Sequence, residues 1–134
     1  MNKNSTLIYP VIMAEHNDED GYVVTVSSPN IPGMHTEANS LSEAAYWSVD
    51  AIATMLDGND EYPEPMDTKD WKLAENERVV YVPVNMKSWY QQNMSKTIKR
   101  SVTVPEYLNE MAKESNINVS RLLTEALEVK LGVQ

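Results

Sequence analysis

Short runs of β-branched and aromatic residues alternate with polar breaks through the first two thirds of the chain. The runs at 5–15 (STLIYPVIMAE) and 21–28 (GYVVTVSS) flank the polar turn HNDED, so they predict a β-hairpin. Residues 34–38 (MHTEA) predict a short third strand, and residues 78–84 (RVVYVPV) predict a fourth. Because Pro83 has no backbone N–H, it should lie at a sheet edge or at a strand end.

The longest helical pattern follows the third strand. Ser40 is the predicted N-cap, Glu43 stands at the reciprocal position of a capping box, and Gly58 ends the pattern. Apolar residues recur at spacings of three and four: Leu41, Ala45, Val49, Ile52 and Leu56. This apolar face should cover the sheet.

In the segment KRSVTVP, side chains from Lys99 to Val104 should alternate between two faces, which predicts a strand. One face of this predicted strand is polar and basic: Lys99, Ser101 and Thr103. The other face is mainly apolar and continues Ile98: Arg100, Val102 and Val104. A strand of this kind has one face suited to a core and one suited to a polar partner.

Two helices are predicted after this strand. Pro105 stands at the expected first position of the first helix, where its missing N–H costs nothing. The break NIN follows, and Asn118 can cap a second helix that ends before Gly132. The apolar face of the second helix is wide: Val119, Leu122, Leu123, Ala126, Leu127 and Leu131.

One strand and two short helices cannot bury enough apolar surface to be stable alone, and an unpaired strand leaves its backbone groups open. We therefore expect two chains to pair their strands antiparallel. The predicted dimer contacts are apolar: Ile98, Val102, Val104, Leu108, Leu122, Leu123 and Leu127.

The distribution of charge also divides the chain, just before the predicted C-terminal strand. Residues 1–95 hold 5 Lys/Arg against 15 Asp/Glu, giving −10, whereas residues 96–134 hold 6 against 5, giving +1. The acidic part suits a basic partner, and the other part is compatible with a polyanion. The chain has no cysteine, no secretion signal and no apolar run of membrane-spanning length, so we expect a soluble cytoplasmic protein.

A paired, two-stranded basic ribbon fits the major groove of DNA. From the polar face, Lys99 could donate to guanine or to a phosphate, and the hydroxyls of Ser101 and Thr103 could contact base edges. Further contacts are predicted to phosphates, since cations and the free N–H groups of a helix start bind them: Lys96, Arg100, Asn118, Val119 and Ser120. The alternative is a helix-turn-helix whose helix 119–131 enters the groove, but Glu125 and Glu128 oppose that arrangement.

The C-terminal residues 96–132 resemble the ribbon-helix-helix repressors. The resemblance rests on the alternating KRSVTVP, the helix after it, and NVSRLLTEAL as the start of the second helix. In that family the three alternating base contacts would fall on Lys99, Ser101 and Thr103, and Asn118 stands where serine is common.

Residues 8–65 resemble the N-terminal domain of HicB-type antitoxins. The resemblance rests on the opening YPVI, the passage DEDGYVVTVSSPNIPGMHTEANSLSEA and the closing PEP, with Met34 where the family often has cysteine. It implies a small, degenerate RNase H-like fold that binds a HicA-type toxin, a small basic RNase. Members of that family end in a helix-turn-helix or a ribbon-helix-helix, and this chain resembles the second kind.

Catalysis and metal binding have little support in the sequence. A two-metal nuclease needs several converging carboxylates, and no pattern brings Asp50 to the acids of the hairpin turn. His16 and His35 are the only histidines, and their spacing fits no metal motif. We expect no catalytic residue, no metal and no cofactor.

Candidates for toxin binding are acidic or aromatic. Asp18, Glu19 and Asp20 can imitate RNA phosphates toward a basic toxin, as can the acidic connection 57–77, which is otherwise solvated surface. Trp47 and Trp71 are either core residues or interface anchors.

Together these patterns predict an α+β protein. Residues 1–84 form a toxin-binding domain with a small sheet and one main helix, 85–95 form a linker with some local helix, and 96–134 form a β-α-α module that dimerises on operator DNA. The predicted function is that of a type II antitoxin which represses its own operon. The alternatives are a ribbon-helix-helix regulator whose first unit senses another ligand or protein, and an RNase H-like enzyme.

Overall fold

The computed structural model of the chain describes residues 3–133. A four-stranded antiparallel sheet and four helices form an α+β fold, with strand order β3-β2-β1-β4. The strands are β1 (Thr6–Asp18), β2 (Gly21–Ser27), β3 (His35–Ala38) and β4 (Glu77–Asn85). The helices are α1 (Leu41–Leu56), α2 (Met86–Asn93), α3 (Glu106–Glu114) and α4 (Val119–Leu131).

The predicted hairpin is present, with β1 and β2 paired from Ile12↔Ser27 to Asp18↔Gly21. Glycine is suited to the turn because Gly21 has φ +114°. Strand β1 also pairs with β4, from Thr6↔Asn85 to Ala14↔Glu77. This makes β4 an edge strand, and the predicted edge position of Pro83 is confirmed.

One face of the sheet is buried beneath α1. Alternate residues of β1 point to that face, and Tyr9, Val11 and Met13 are almost fully buried. The helix meets them with Ile52 and Leu56, as predicted, but also with small residues that the apolar pattern does not mark: Ala44, Ser48 and Ala53. Small side chains let a helix lie close to a sheet, and the Ser48 hydroxyl is satisfied because it donates to the Ala44 carbonyl at 2.6 Å.

The capping signal of α1 is confirmed. Ser40 Oγ accepts a hydrogen bond from the Glu43 backbone N–H at 3.1 Å. The Glu43 carboxylate reaches back to the N–H of Asn39, also at 3.1 Å, one residue before the N-cap. Ser40 and Glu43 therefore fix where the helix begins.

Part of the acidic connection 57–77 is fixed to the core by buried polar residues. The side chain of Asn30 donates to the Glu64 carbonyl at 3.1 Å and accepts from the Met66 N–H at 2.7 Å. The Tyr9 hydroxyl donates to the Pro63 carbonyl at 2.8 Å, and burial raises the pKa of Tyr9 to about 12. The middle of this connection is thus held in one conformation.

Residues 85–95, predicted as a linker with some local helix, contain α2, and this helix packs on the N-terminal unit. Met86 is buried, and Trp89 and Tyr90 pack against the core. Trp89 Nε1 donates to Asp50 Oδ1 at 3.0 Å, and the Tyr90 hydroxyl donates to Asp57 Oδ1 at 2.9 Å. The two bonds join α2 to α1 and its C-cap.

The C-terminal helices lie where the sequence predicts them, with one shift. Pro105 is the N-cap of α3, with ψ 142°, rather than its first helical residue. The predicted strand over 99–104 has no ladder in the single described chain, because a strand needs a neighbour and residues 95–105 have none. Its pairing stays a prediction.

Tyr9 and Tyr62 provide a matched test of the connection's anchoring. Tyr9→Phe removes the hydrogen bond to the Pro63 carbonyl and should lower the free energy of unfolding by about 0.5–1.5 kcal/mol. Tyr62→Phe removes a buried hydroxyl that lies near the Tyr90 hydroxyl without a well-formed hydrogen bond in residues 3–133, so it should cost less stability than Tyr9→Phe. Urea denaturation of both variants measures the difference, and equal losses would contradict it.

Candidate functional site

A polar cleft lies between the extended segment after α2 and the first turns of α4. Residues 97–101 line one side, and Ser120, Leu123 and Thr124 line the other, around a volume of about 420 Å³. The structure therefore brings together four residues predicted to contact DNA: Lys99, Arg100, Ser101 and Ser120. The cleft combines cations and hydroxyls, the groups that bind phosphates and base edges.

The beginning of α4 has the geometry of an anion-binding helix terminus. Asn118 Oδ1 accepts from the Arg121 N–H at 3.0 Å, which confirms the predicted cap. Arg121 is then paired with Glu125 at 3.0 Å, so its charge is partly neutralised. The two N–H groups ahead of Arg121, at Val119 and Ser120, have positions typical of phosphate contacts.

An apolar groove lies beside the polar cleft. Val102, Val104, Leu108 and Leu122 line it, and its volume is about 570 Å³. These four residues belong to the predicted dimer contacts, and each is about half exposed in the single chain. No residue of α3 or α4 is buried among those that the structure describes. The apolar faces of this module are therefore open.

Three more of the predicted site residues line the two cavities. The side chain of Val119 lines the apolar groove, in agreement with the predicted apolar face of the second helix, while its predicted phosphate contact is through the backbone N–H. Ile98 and Leu123, predicted at the dimer contact, line the polar cleft of the single chain. Leu127 is half exposed on α4 and Thr103 is exposed on the extended segment.

The predicted toxin-binding residues occupy three separate elements. Asp18 ends β1, and Glu19 and Asp20 form the exposed turn to β2, where Asp18 Oδ1 accepts from the Asp20 N–H at 2.9 Å. Trp47 is 48% exposed on the outer face of α1, so the core alternative for Trp47 is wrong. Trp71 is half-buried in the connection 57–77.

Next to the hairpin turn, a small charged network surrounds Glu15. Its carboxylate accepts from the Tyr22 hydroxyl at 2.7 Å and from Arg78 at 2.6 Å. The Tyr22 bond, with the Arg78 charge, lowers the pKa of Glu15, and the same bond raises the pKa of Tyr22. Glu15 therefore remains a carboxylate at neutral pH.

An aromatic cleft between α1 and α2 was not predicted. Tyr46, Trp47, Asp50 and Trp89 line it, and its volume is about 420 Å³. In the sequence, Tyr46, Trp47 and Asp50 share the helix face opposite the apolar stripe, which is the available signal. Trp89 comes from the segment predicted as linker, so sequence spacing does not connect it to this face.

No group of three or more His, Asp or Glu side chains within residues 3–133 is arranged to hold a metal ion. His16 forms a hydrogen bond with Thr25 at 3.0 Å, and His35 is exposed on β3. Within the same residues, every helix is too short or too polar to span a bilayer.

Comparisons with known proteins show a likeness at the level of the fold. No protein-family model matches the sequence, and no curated protein sequence matches it. The fold is similar to a chain from a toxin–antitoxin complex of Streptococcus pneumoniae, with 20% sequence identity and a TM-score of 0.54. The alignment covers 94% of this chain and 99% of that chain, so the likeness includes residues of both the sheet unit and the C-terminal helices.

The cap at Asn118 can be tested in the full chain. Asn118→Ala removes the acceptor for the Arg121 N–H and should destabilise the start of α4 by about 1 kcal/mol. Faster amide hydrogen exchange at Arg121 and Leu122, whose N–H groups donate to the Asn118 side chain and to the Asn118 carbonyl, would report this loss. The control is Asn116→Gly, which keeps the left-handed backbone (φ 55°) at that position and should not accelerate exchange; equal exchange in the two variants would count against the cap.

Proposed function

We propose that this protein is the antitoxin of a type II toxin–antitoxin system. It binds and neutralises a HicA-type toxin, a small basic RNase, and as a dimer it represses its own operon. The observation that carries the proposal is the fold likeness to a chain of a toxin–antitoxin complex, which extends over 94% of this chain. In this proposal the protein acts by binding and has no catalytic residue.

The proposed dimer follows from the open apolar faces of the C-terminal module. Val102 and Val104 are each about half exposed beside Leu108 and Leu122, and the backbone of residues 95–105 has no strand partner in the single chain. Antiparallel pairing with a second copy would satisfy that backbone and cover the groove with the same residues from the other chain. The resulting unit is a ribbon-helix-helix.

The proposed DNA contacts lie on the polar side of the same segment. Lys99 and Arg100 have no ion-pair partner in the part of the chain that the structure describes. Two paired segments would present Lys99, Ser101 and Thr103 from each copy to the major groove, while Lys96, Arg100 and the start of α4 contact phosphates.

The proposed toxin contacts lie on the acidic N-terminal unit. Residues 1–95 carry a formal charge of −10, which favours encounter with a basic RNase. The candidate contacts are the exposed acids Asp18, Glu19 and Asp20 and the side chains of Trp47 and Trp71.

Co-expression tests the antitoxin assignment. The small basic protein encoded next to this chain should stop growth when expressed alone and be harmless when co-expressed with it, and the two should co-purify. A neighbour that is harmless alone, or that does not bind this chain, contradicts the proposal. A chain that bound its operator without binding the neighbour would instead be a regulator that senses something else.

Operator binding is tested by Lys99→Ala combined with Thr103→Ala. Each copy would lose one charged and one hydroxyl contact, so binding to the upstream DNA should disappear while dimer size and toxin binding stay unchanged. Lys113→Ala is the control for charge, since Lys113 lies on α3 with its ammonium 3.7 Å from Glu110. Wild-type affinity should also fall as salt rises. Loss of the dimer in the double variant, or equal loss of binding in the control, would contradict these base contacts.

A further inference from the structure

The aromatic cleft between α1 and α2 has features of a binding site. Tyr46 is 71% exposed and Trp47 is 48% exposed, and their rings meet edge to face at a centroid distance of 5.1 Å. The inner wall is Trp89, which packs against the core. Large aromatic side chains left exposed together on a rigid helix are typical of interaction surfaces.

Asp50 gives the cleft its charge. Its Oδ1 accepts from Trp89 Nε1 at 3.0 Å, which fixes the carboxylate against the wall of the cleft. Its Oδ2 has no hydrogen-bond or ion-pair partner in residues 3–133. The other polar lining groups are the Tyr46 hydroxyl and the amides of Gln92 and Asn93, and none of the described lining residues is basic.

This set of groups favours a cation over an anion. Aromatic faces attract cations, and a fixed carboxylate oxygen accepts from a guanidinium or an ammonium group. Arginine suits the cleft better than lysine, because its planar group can stack on an indole while it donates to the carboxylate. The −10 charge of residues 1–95 also repels acidic partners.

We infer that this cleft receives an arginine side chain from the basic toxin. The inference rests on the proposed antitoxin function and identifies where on the N-terminal unit one toxin contact lies. The other source of an unpaired arginine is Arg100 of a second copy, since Arg78 is paired with Glu15 and Arg121 with Glu125.

Titration calorimetry with a catalytically inactive toxin tests the inference in the full-length protein. Trp47→Ala and Asp50→Asn should each weaken toxin binding at least about tenfold, whereas Trp47→Tyr should retain most of the affinity. Asn at position 50 can still accept from Trp89, so the fold is kept while the charge is removed. Glu37→Gln is the control, because it removes one exposed carboxylate charge from β3 of the same unit, outside the candidate toxin contacts.

The outcomes separate this inference from the antitoxin proposal. Wild-type affinity in both Trp47→Ala and Asp50→Asn would overturn the assignment of the cleft while leaving the antitoxin function standing. Failure of the wild-type protein to bind the toxin would overturn the antitoxin function itself. Sedimentation of the free protein covers the second-copy alternative: a smaller oligomer for both Trp47→Ala and Arg100→Ala would assign the cleft to Arg100 of another copy and overturn the toxin assignment.

Discussion

The N-terminal unit depends on the pairing of β1 with strands on both sides. Its 13 residues pair with β2 through a local turn and with β4 across more than sixty intervening residues. The second pairing closes a long loop, and the burial of Tyr9, Val11 and Met13 under α1 offsets the entropy of that closure. Because β4 continues directly into α2, the same pairing also positions α2 beside α1.

The C-terminal module has a different physical basis. In the N-terminal unit alternate strand residues are buried, whereas α3 and α4 bury none of their described residues within the single chain. Local signals alone define these two helices: the cap at Asn118, the left-handed Asn116 and the left-handed Gly132. Local capping sets where a helix begins and ends but supplies little stability, since most helical stability in proteins comes from packing of an apolar face. Local sequence signals therefore define the two helices of the module, but a single copy of the module has no buried core among its described residues.

Features encoded by neighbouring residues could be predicted from the sequence. The hairpin, the capping box of Ser40 and Glu43, the edge position of Pro83 and the Asn118 cap each depend on a few adjacent residues. Contacts between distant residues could not be predicted. Asn30 with Glu64 and Asp50 with Trp89 join segments 34 and 39 residues apart, and neither pair has a periodic signal. Trp47 was ambiguous for a related reason: a tryptophan on a helix fits a core or an interface, and only the position of the sheet decides.

The charge division also explains how an acidic protein can be proposed to bind DNA. At physiological ionic strength the screening length is about 8 Å, so exposed charges farther away contribute little to a local contact. What matters at a phosphate is the charge within that distance, and the polar cleft has Lys99 and Arg100 among its lining residues. Lowering the salt strengthens those contacts, but it also extends the range of the −10 charge on residues 1–95, which repels the same polyanion. The two effects oppose each other, so the salt dependence of operator binding should be shallower at low salt than a count of phosphate contacts alone would give.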